Sequence, residues 1–570
     1  MRHALFIAAL LLLAVAVQGV VVCRSVVPAL DSGRFLVTAE WMDREGMLET
    51  VRSQPEQPLY SMWVWAVRRT IVATAGNFPA LGAVTVQLAA ALPLVLIVVP
   101  VYLLSLRVYG QAGAIAGTCL FCVLPEVARL GADGISDSTH LLLLAIAFWA
   151  VFEFLTGPAG RGAMANLQQT AQEDGQPWAP GSPWWLLLAG LATGTAALVR
   201  TEALMLPVAL ATGGLALAFL PAQRRLFPRL LAASACFLVG LLLILASYLA
   251  VTGATSPRAA VARLVGRPGP ARLSVPAPSP APAVADWQLP EDGPMCFAPK
   301  DASSSRHRGL GGAVRTFGRE LAEAFWYWVG LLGIAALWMA RRLAAKPVDW
   351  FLRIFVGVFS LGVLAFGARE GYLSARHLLP LVIVGIGCCG LGVVEAGYRL
   401  ARLFRVRRSL ANRWATGVLA LACAACLGQT LLPVGRCAEA HRAAARWLVA
   451  EAKPGIVIDT KGWSRLYSGR KTYQYADGVA AFADPGVHYV VVEPWELQGE
   501  SPRSRTLRRL LATAGQQAVE FAGPEDDFRR AVTVYRWQPE RLRPGSAAVA
   551  TDAQRVHDAR TSASLCPKRR

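Results

Sequence analysis

Four stretches place ionisable residues where apolar segments end. Asp31 lies eight residues beyond the apolar run Ala4 to Cys23. A carboxylate there can take the proton of an acceptor hydroxyl if it comes within hydrogen-bond reach. Glu40 and Asp43 follow nine and twelve residues on, as further acids of the same stretch. The second stretch, Asp133-Gly134-Ile135-Ser136-Asp137, makes Asp137 either a helix N-terminal acid capped by Ser136 or a second carboxylate facing Asp31 to bind an acceptor or a metal. His140, one turn deeper, either joins that site or satisfies a core hydrogen bond. The third is Arg200-Thr201-Glu202 and the fourth is Tyr372-Leu373-Ser374-Ala375-Arg376-His377. Arginine at such positions suits a phosphate or pyrophosphate, because its planar fork donates two charge-assisted hydrogen bonds and stays ionised. Arg200 has an internal alternative in Glu202, whereas the nearest acid to Arg376 in sequence is Glu370.

The elements that must position these groups are membrane helices. Of 570 residues 55% are hydrophobic and 16% charged, and the mean hydropathy of +0.42 does not fit a water-soluble interior. Residues 4–23 hold one polar side chain, Gln18, and twenty such residues in a helix cross about 30 Å of hydrocarbon. That length exceeds the h-region of a cleaved signal peptide, the competing reading supported by Arg2, His3 and Ala14-Val15-Ala16. Further spans are expected near 79–105, 111–128, 137–156, 184–200, 203–220, 229–251, 324–340, 348–367, 377–396 and 414–433, about eleven in all.

With a cytoplasmic N-terminus, the inner turns collect Arg107, Arg161, Arg224, Arg225, Arg229, Arg341, Arg342, Lys346 and the group Arg399, Arg402, Arg405, Arg407, Arg408 and Arg413. This is the positive-inside pattern. It puts the first loop (24–78), the proline-rich loop (252–323) and the C-terminal region outside, together with every candidate residue above. Arg68 and Arg69 are outer charges the rule does not predict; they either meet lipid phosphates or close an amphipathic helix over Trp63 and Trp65. The polar inner loop 157–183 carries no catalytic pattern.

Beyond Leu432 the composition turns soluble. A helix is expected over Glu439–Ala452, strands at Gly455–Asp459, His488–Glu493 and Ala531–Trp537, and a helix over Arg503–Ala514. The fold class predicted is a polytopic α-helical membrane domain, residues 1–435, followed by a small α/β domain at 436–542 with a partly parallel sheet and a disordered tail at 543–570.

The net charge of +20 does not indicate nucleic acid, because the basic residues sit in short loops between apolar runs and report topology. Eleven cysteines show no metal-ligand spacing, and those inside spans, Cys119 and Cys122 among them, read as small hydrophobes. No glycine-rich phosphate loop follows a strand, so no soluble nucleotide cofactor is expected.

The order of these motifs resembles a family. Asp31-x-x-Arg34-Phe35 after the first span, Gln57-Pro58-Leu59-Tyr60, the Asp137 turn, Arg200-x-Glu202, and Tyr372-x-x-x-Arg376-His377-Leu378-Leu379-Pro380 look like membrane glycosyltransferases of the GT-C fold. The match is to the branch of protein O-mannosyltransferases and aminoarabinose lipid A transferases, over about residues 1–435. The resemblance implies that Asp31 is the catalytic base, that the donor is a sugar on a polyprenyl phosphate, and that Arg376 helps bind the lipid phosphate, with Arg200, Glu202 and Tyr372 beside it. Members often carry two adjacent acids in the first loop. Here the second position is Ser32, which leaves Glu40 or Asp43 as substitutes.

The expected activity is transfer of a sugar from the lipid carrier to a protein, lipid or glycan acceptor on the outer face of the cell membrane, among membrane lipids and without nucleic acid. A transporter or flippase of lipid-linked saccharides is the competing class. It would favour internal repeats and broken helices near the midplane, while here the ionisable residues gather at the outer surface. A membrane-anchored scaffold is the third, for which eleven spans are excessive. A divalent metal stays open: Asp31, Asp137 and His140 offer oxygen and nitrogen ligands, but no spacing identifies an ion.

Overall fold

The computed structural model describes residues 2–53, 58–157, 181–219, 227–253, 309–340, 347–473, 481–482, 484–499, 501–523 and 530–542. Most of the loop 157–183, the proline-rich part of the loop 252–323, Gln57 and the tail from 543 lie outside the described residues.

Among the described residues seven helical stretches are long and apolar enough to cross a membrane, as a polytopic membrane protein requires. The first is α1 (Arg2–Arg24). The next, Leu81–Val123, carries two of the expected spans: α5 (Leu81–Leu96) runs into α6 (Val98–Val123), and the break falls at Gly110, whose φ of 74° a side chain would oppose. The others are α8 (Asp137–Thr156), α11 (Phe227–Thr252), α14 (Pro347–Glu370), α15 (Leu379–Leu403) and α16 (Arg408–Thr430). Three shorter helices occupy the remaining expected spans: α9 (Trp184–Val199), α10 (Met205–Phe219) and α13 (Trp328–Ala340). The expected span at 324–340 starts late because an amphipathic helix, α12 (Leu310–Ala324), ends there, and Trp326 and Tyr327 take positive φ.

Between lipid-exposed helices there is no hydrophobic gain, so close backbone approach has to supply the packing. Glycine provides it at two pairs. A Cβ on Gly390 of α15 would come 2.2 Å from the Gly117 nitrogen of α6, and one on Gly190 of α9 would come 2.0 Å from the Phe237 oxygen of α11. These pairs hold α15 against α6 and α9 against α11; Arg376 lies just before α15 and Arg200 just after α9.

The first loop is largely helical, and its last helix carries Trp63 and Trp65. It folds into α2 (Ser32–Glu45), α3 (Met47–Ser53) and α4 (Pro58–Ala75). Phe35, Leu36, Ala39 and Met42 form the buried stripe of α2, the spacing of an amphipathic helix. A further short helix, α7 (Pro125–Asp133), precedes α8, and Gly134 in the left-handed region turns the chain between them.

The C-terminal region is α/β. A five-stranded sheet has the order β2-β1-β3-β5-β4, with β1 (Ile456–Asp459) parallel to β2 (Thr472–Tyr473) and β3 (Val487–Val492), and β5 (Val532–Trp537) antiparallel to β3 and β4 (Gly515–Phe521). Helices α17 (Glu439–Ala450), α18 (Trp463–Ser468) and α19 (Pro502–Ala514) flank it. This sheet region and the first loop share one core: Val27, Phe35, Leu36, Tyr60 and Val64 pack with Ala445, Leu466 and Tyr467. The Tyr467 hydroxyl donates to the Val26 oxygen at 2.8 Å, and the Ala80 N–H donates to the Tyr467 oxygen at 3.1 Å.

Candidate functional site

The candidate residues stand at helix ends that converge. Asp31 occupies the N-cap position of α2, yet its carboxylate makes no capping bond and is exposed. The turn behind it is closed by Ser32, which donates from N and Oγ to the Ala29 oxygen at 3.0 and 2.7 Å. The Ala29 N–H in turn donates to the Asp133 oxygen at 2.9 Å, which ties the Asp31 loop to the end of α7. Ser32, the position where a paired acid was expected, is thus fully buried and serves the turn.

Asp137 opens α8, as the helix N-terminal reading has it, although Ser136 makes no side-chain cap. Its carboxylate holds the buried Arg200 guanidinium, which also donates to Glu202 Oε1 at 2.9 Å. The internal pair weighed for Arg200 is therefore present, and Asp137 is its second partner. His140 lies in the same cluster, with Nδ1 3.5 Å from the Ala196 oxygen. Val199, the residue before Arg200, packs in one core with Val27, Phe35 and Leu36, so the first loop borders this group.

Arg376 is placed differently. It sits in a 3-10 turn, Ala375–Leu378, that Ser374 caps, and the Ser374 N–H donates to His377 Nδ1 at 3.3 Å. Tyr372 is half exposed and stands edge-on to His377, with ring centroids 5.8 Å apart. Among the described residues Arg376 has no ion pair, and its Nε is buried without a hydrogen-bond partner. Arg376 as a whole is half-buried, and a buried donor without an acceptor, as its Nε is, is costly unless a ligand supplies one.

Glu40 and Asp43 are not brought to this place. Glu40 pairs with Arg465 of α18, and Asp43 pairs with Arg68 and Arg69 of α4 and accepts from Trp65 Nε1 at 2.9 Å. As substitutes for a second acid beside Asp31 they are spent on these cations. Arg68 and Arg69 thereby close α4 against α2.

Two residues of the quoted motifs enter the site without having been singled out. The Asp133 carboxyl is pushed up to about 7 by burial, then by the charges of Asp137 and Glu126, while Arg129 and Arg376 pull the other way. The Tyr60 hydroxyl of the Pro-Leu-Tyr motif is fully buried without a partner among the described residues, and burial followed by the Asp137 charge raises its pKa. The Asp133 signal was in the sequence as the first acid of its turn; Tyr60 carried none beyond its motif. Among the described residues no three His, Cys, Asp or Glu side chains converge as a metal site.

No family model and no curated protein matches the chain. Solved structures do. ArnT from Cupriavidus metallidurans in the apo state is similar at a TM-score of 0.54 and 14% identity, covering 94% of this chain and 97% of that one. The same protein bound to undecaprenyl phosphate matches equally, covering 94% and 98%. The Archaeoglobus fulgidus oligosaccharyltransferase in complex with Zn and sulfate matches at a TM-score of 0.51 and 14% identity, over 91% and 72%. The chain is thus a multi-pass membrane protein with the GT-C fold. The fold runs from the first span into the soluble region.

Proposed function

We propose that the protein is a membrane glycosyltransferase that moves a sugar from a polyprenyl-phosphate carrier to an acceptor hydroxyl on the outer face of the cell membrane. The observation that carries this is Arg376, a guanidinium with a buried, unpartnered Nε, set near an unpaired Asp31 loop in a fold shared with a protein that binds undecaprenyl phosphate. Asp31 takes the acceptor proton as the acceptor oxygen attacks the anomeric carbon. The bond from that carbon to the phosphate oxygen breaks, and Arg376 stabilises the charge on the departing lipid phosphate. The displacement inverts the anomeric centre.

Arg200 stands behind this pair, with its charge already offset by Asp137 and Glu202. Its part is to order the turn at 133–137. A protein, lipid or glycan acceptor fits the open side of Asp31, which is exposed. The zinc and sulfate held by the oligosaccharyltransferase keep a divalent ion in view. The described carboxylates of this chain do not gather as a metal set, and no step here runs through an ion.

The test is reconstitution with a polyprenyl-phosphate sugar. Arg376→Ala should weaken donor binding and turnover together, and Arg376→Lys should recover only part, since an ammonium cannot reproduce the fork. Translocation of the lipid across vesicles with no glycosyl transfer would establish the flippase reading instead.

A further inference from the structure

The backbone around Asp31 is held from outside its own loop. Val26 donates from N to the Val434 oxygen at 2.9 Å, and the Pro28 oxygen accepts from Trp463 Nε1 at 3.1 Å. Gly462, the residue before α18, brings its oxygen against Gly33 of α2. Trp463 therefore reaches the main chain three residues before Asp31.

Trp463 is itself fixed by buried charges at the carboxyl ends of the parallel strands β1 and β3. Asp459, fully buried, ends β1 and accepts from Lys461 N at 2.9 Å and Ser464 N at 2.7 Å, which shapes the turn that presents Trp463. The Trp463 ring meets the His441 imidazole edge-on at 4.6 Å. His441 Nε2 bonds Glu493 Oε1 at 3.0 Å, and Glu493 Oε2 accepts from Trp495 Nε1 at 2.7 Å and faces Lys461 Nζ at 3.2 Å. Such buried polar groups give little net stability compared with apolar packing, but they restrict geometry. His441 is 1% exposed and leaves its Nδ1 without a partner among the described residues, which packing alone does not account for.

We propose that Trp463, aligned by His441 and Glu493, is a positioning residue for Asp31, so that the C-terminal α/β region completes the catalytic unit of the membrane region. The inference rests on Asp31 as the base. It gives Trp463 no contact with substrate; it acts through the Pro28 carbonyl.

Two readouts test it in the full-length protein in detergent or nanodiscs. Hydrogen exchange of residues 24–36 should quicken in Trp463→Phe, which keeps the ring on His441 but removes the donor, and in Glu493→Gln, which keeps the shape of the cluster. In transfer assays Trp463→Phe should lower kcat about tenfold with donor KM within about twofold, the size expected of a misplaced base. In an Asp31→Asn background the same change should cost nothing more. Unchanged exchange at 24–36 in both variants overturns the proposal. So does a tenfold loss that persists without the Asp31 carboxylate, since Trp463 would then act elsewhere. Absence of transfer by the unaltered protein defeats the functional reading instead, and the exchange result still decides whether Trp463 holds the loop.

Discussion

The two ends of α8 carry the same kinds of residue in opposite states. At the C-terminal end Glu153 receives Arg107 through Nε at 2.7 Å and Nη2 at 2.6 Å, and Trp149 Nε1 at 3.2 Å. At the N-terminal end Asp137 is likewise paired with an arginine, but around it stand, among the described residues, Asp31 without a capping bond, Arg376 with its Nε unsatisfied, the raised carboxyl of Asp133 and the Tyr60 hydroxyl without a partner. Charge at membrane depth is expensive and is kept where it is paired or used. The C-terminal end is paired; the N-terminal end holds, among the described residues, both paired and unpaired groups. Pairing therefore separates residues that build the fold from those available to a substrate, which residue type alone does not.

Changes at the two ends should accordingly fail in different ways. The largest effect on folding belongs to the Arg107–Glu153 pair: Arg107→Ala leaves Glu153 buried and without its cation and should destabilise by about 3–5 kcal/mol, read as a lower thermal unfolding midpoint in detergent. Arg376→Ala, losing a group with no partner, should leave that midpoint in place or raise it while donor binding falls. A common loss of stability in both would erase the distinction.

Asp133 sharpens the comparison by pH. An acid held at about 7 is neutral below that value and anionic above it. Once ionised it competes with the lipid phosphate for Arg376, so donor KM should rise severalfold as pH passes from about 6 to 8. In Asp133→Asn the rise should vanish. A profile that keeps its inflection near 7 in that variant would assign the titration to another group. The smallest effect is expected from Tyr60→Phe, which removes a hydroxyl with no partner among the described residues and should shift stability by less than about 1 kcal/mol.

The sequence displayed the apolar helices, because twenty-residue hydrophobic runs have few other readings, and it displayed β1, β3 and β5 as short buried runs. Other parts were not visible in it. The helices of the first loop mix polar and apolar residues and lean on partners such as Leu466 and Tyr467 far along the chain. Strand β4 is a half-exposed edge whose Gly515-Gln516-Gln517 start lacks alternation, and β2 has only two residues. Asp31, Asp137, Arg200 and Arg376 stood out by position. Whether each was paired did not, since the partners of Glu40 and Asp137 lie 425 and 63 residues away. The contact of Trp463 with Pro28, at a separation of 435 residues, is of the same kind.

The most direct measurement is single-turnover transfer by purified Asp31→Asn protein preloaded with the polyprenyl-phosphate sugar. The substitution keeps the size of the side chain and removes only its capacity to take a proton. Transfer should fall about 100-fold or more while donor affinity stays within about twofold. Transfer at the unaltered rate would contradict the account and make the unpaired acid of the first loop a solvated surface group.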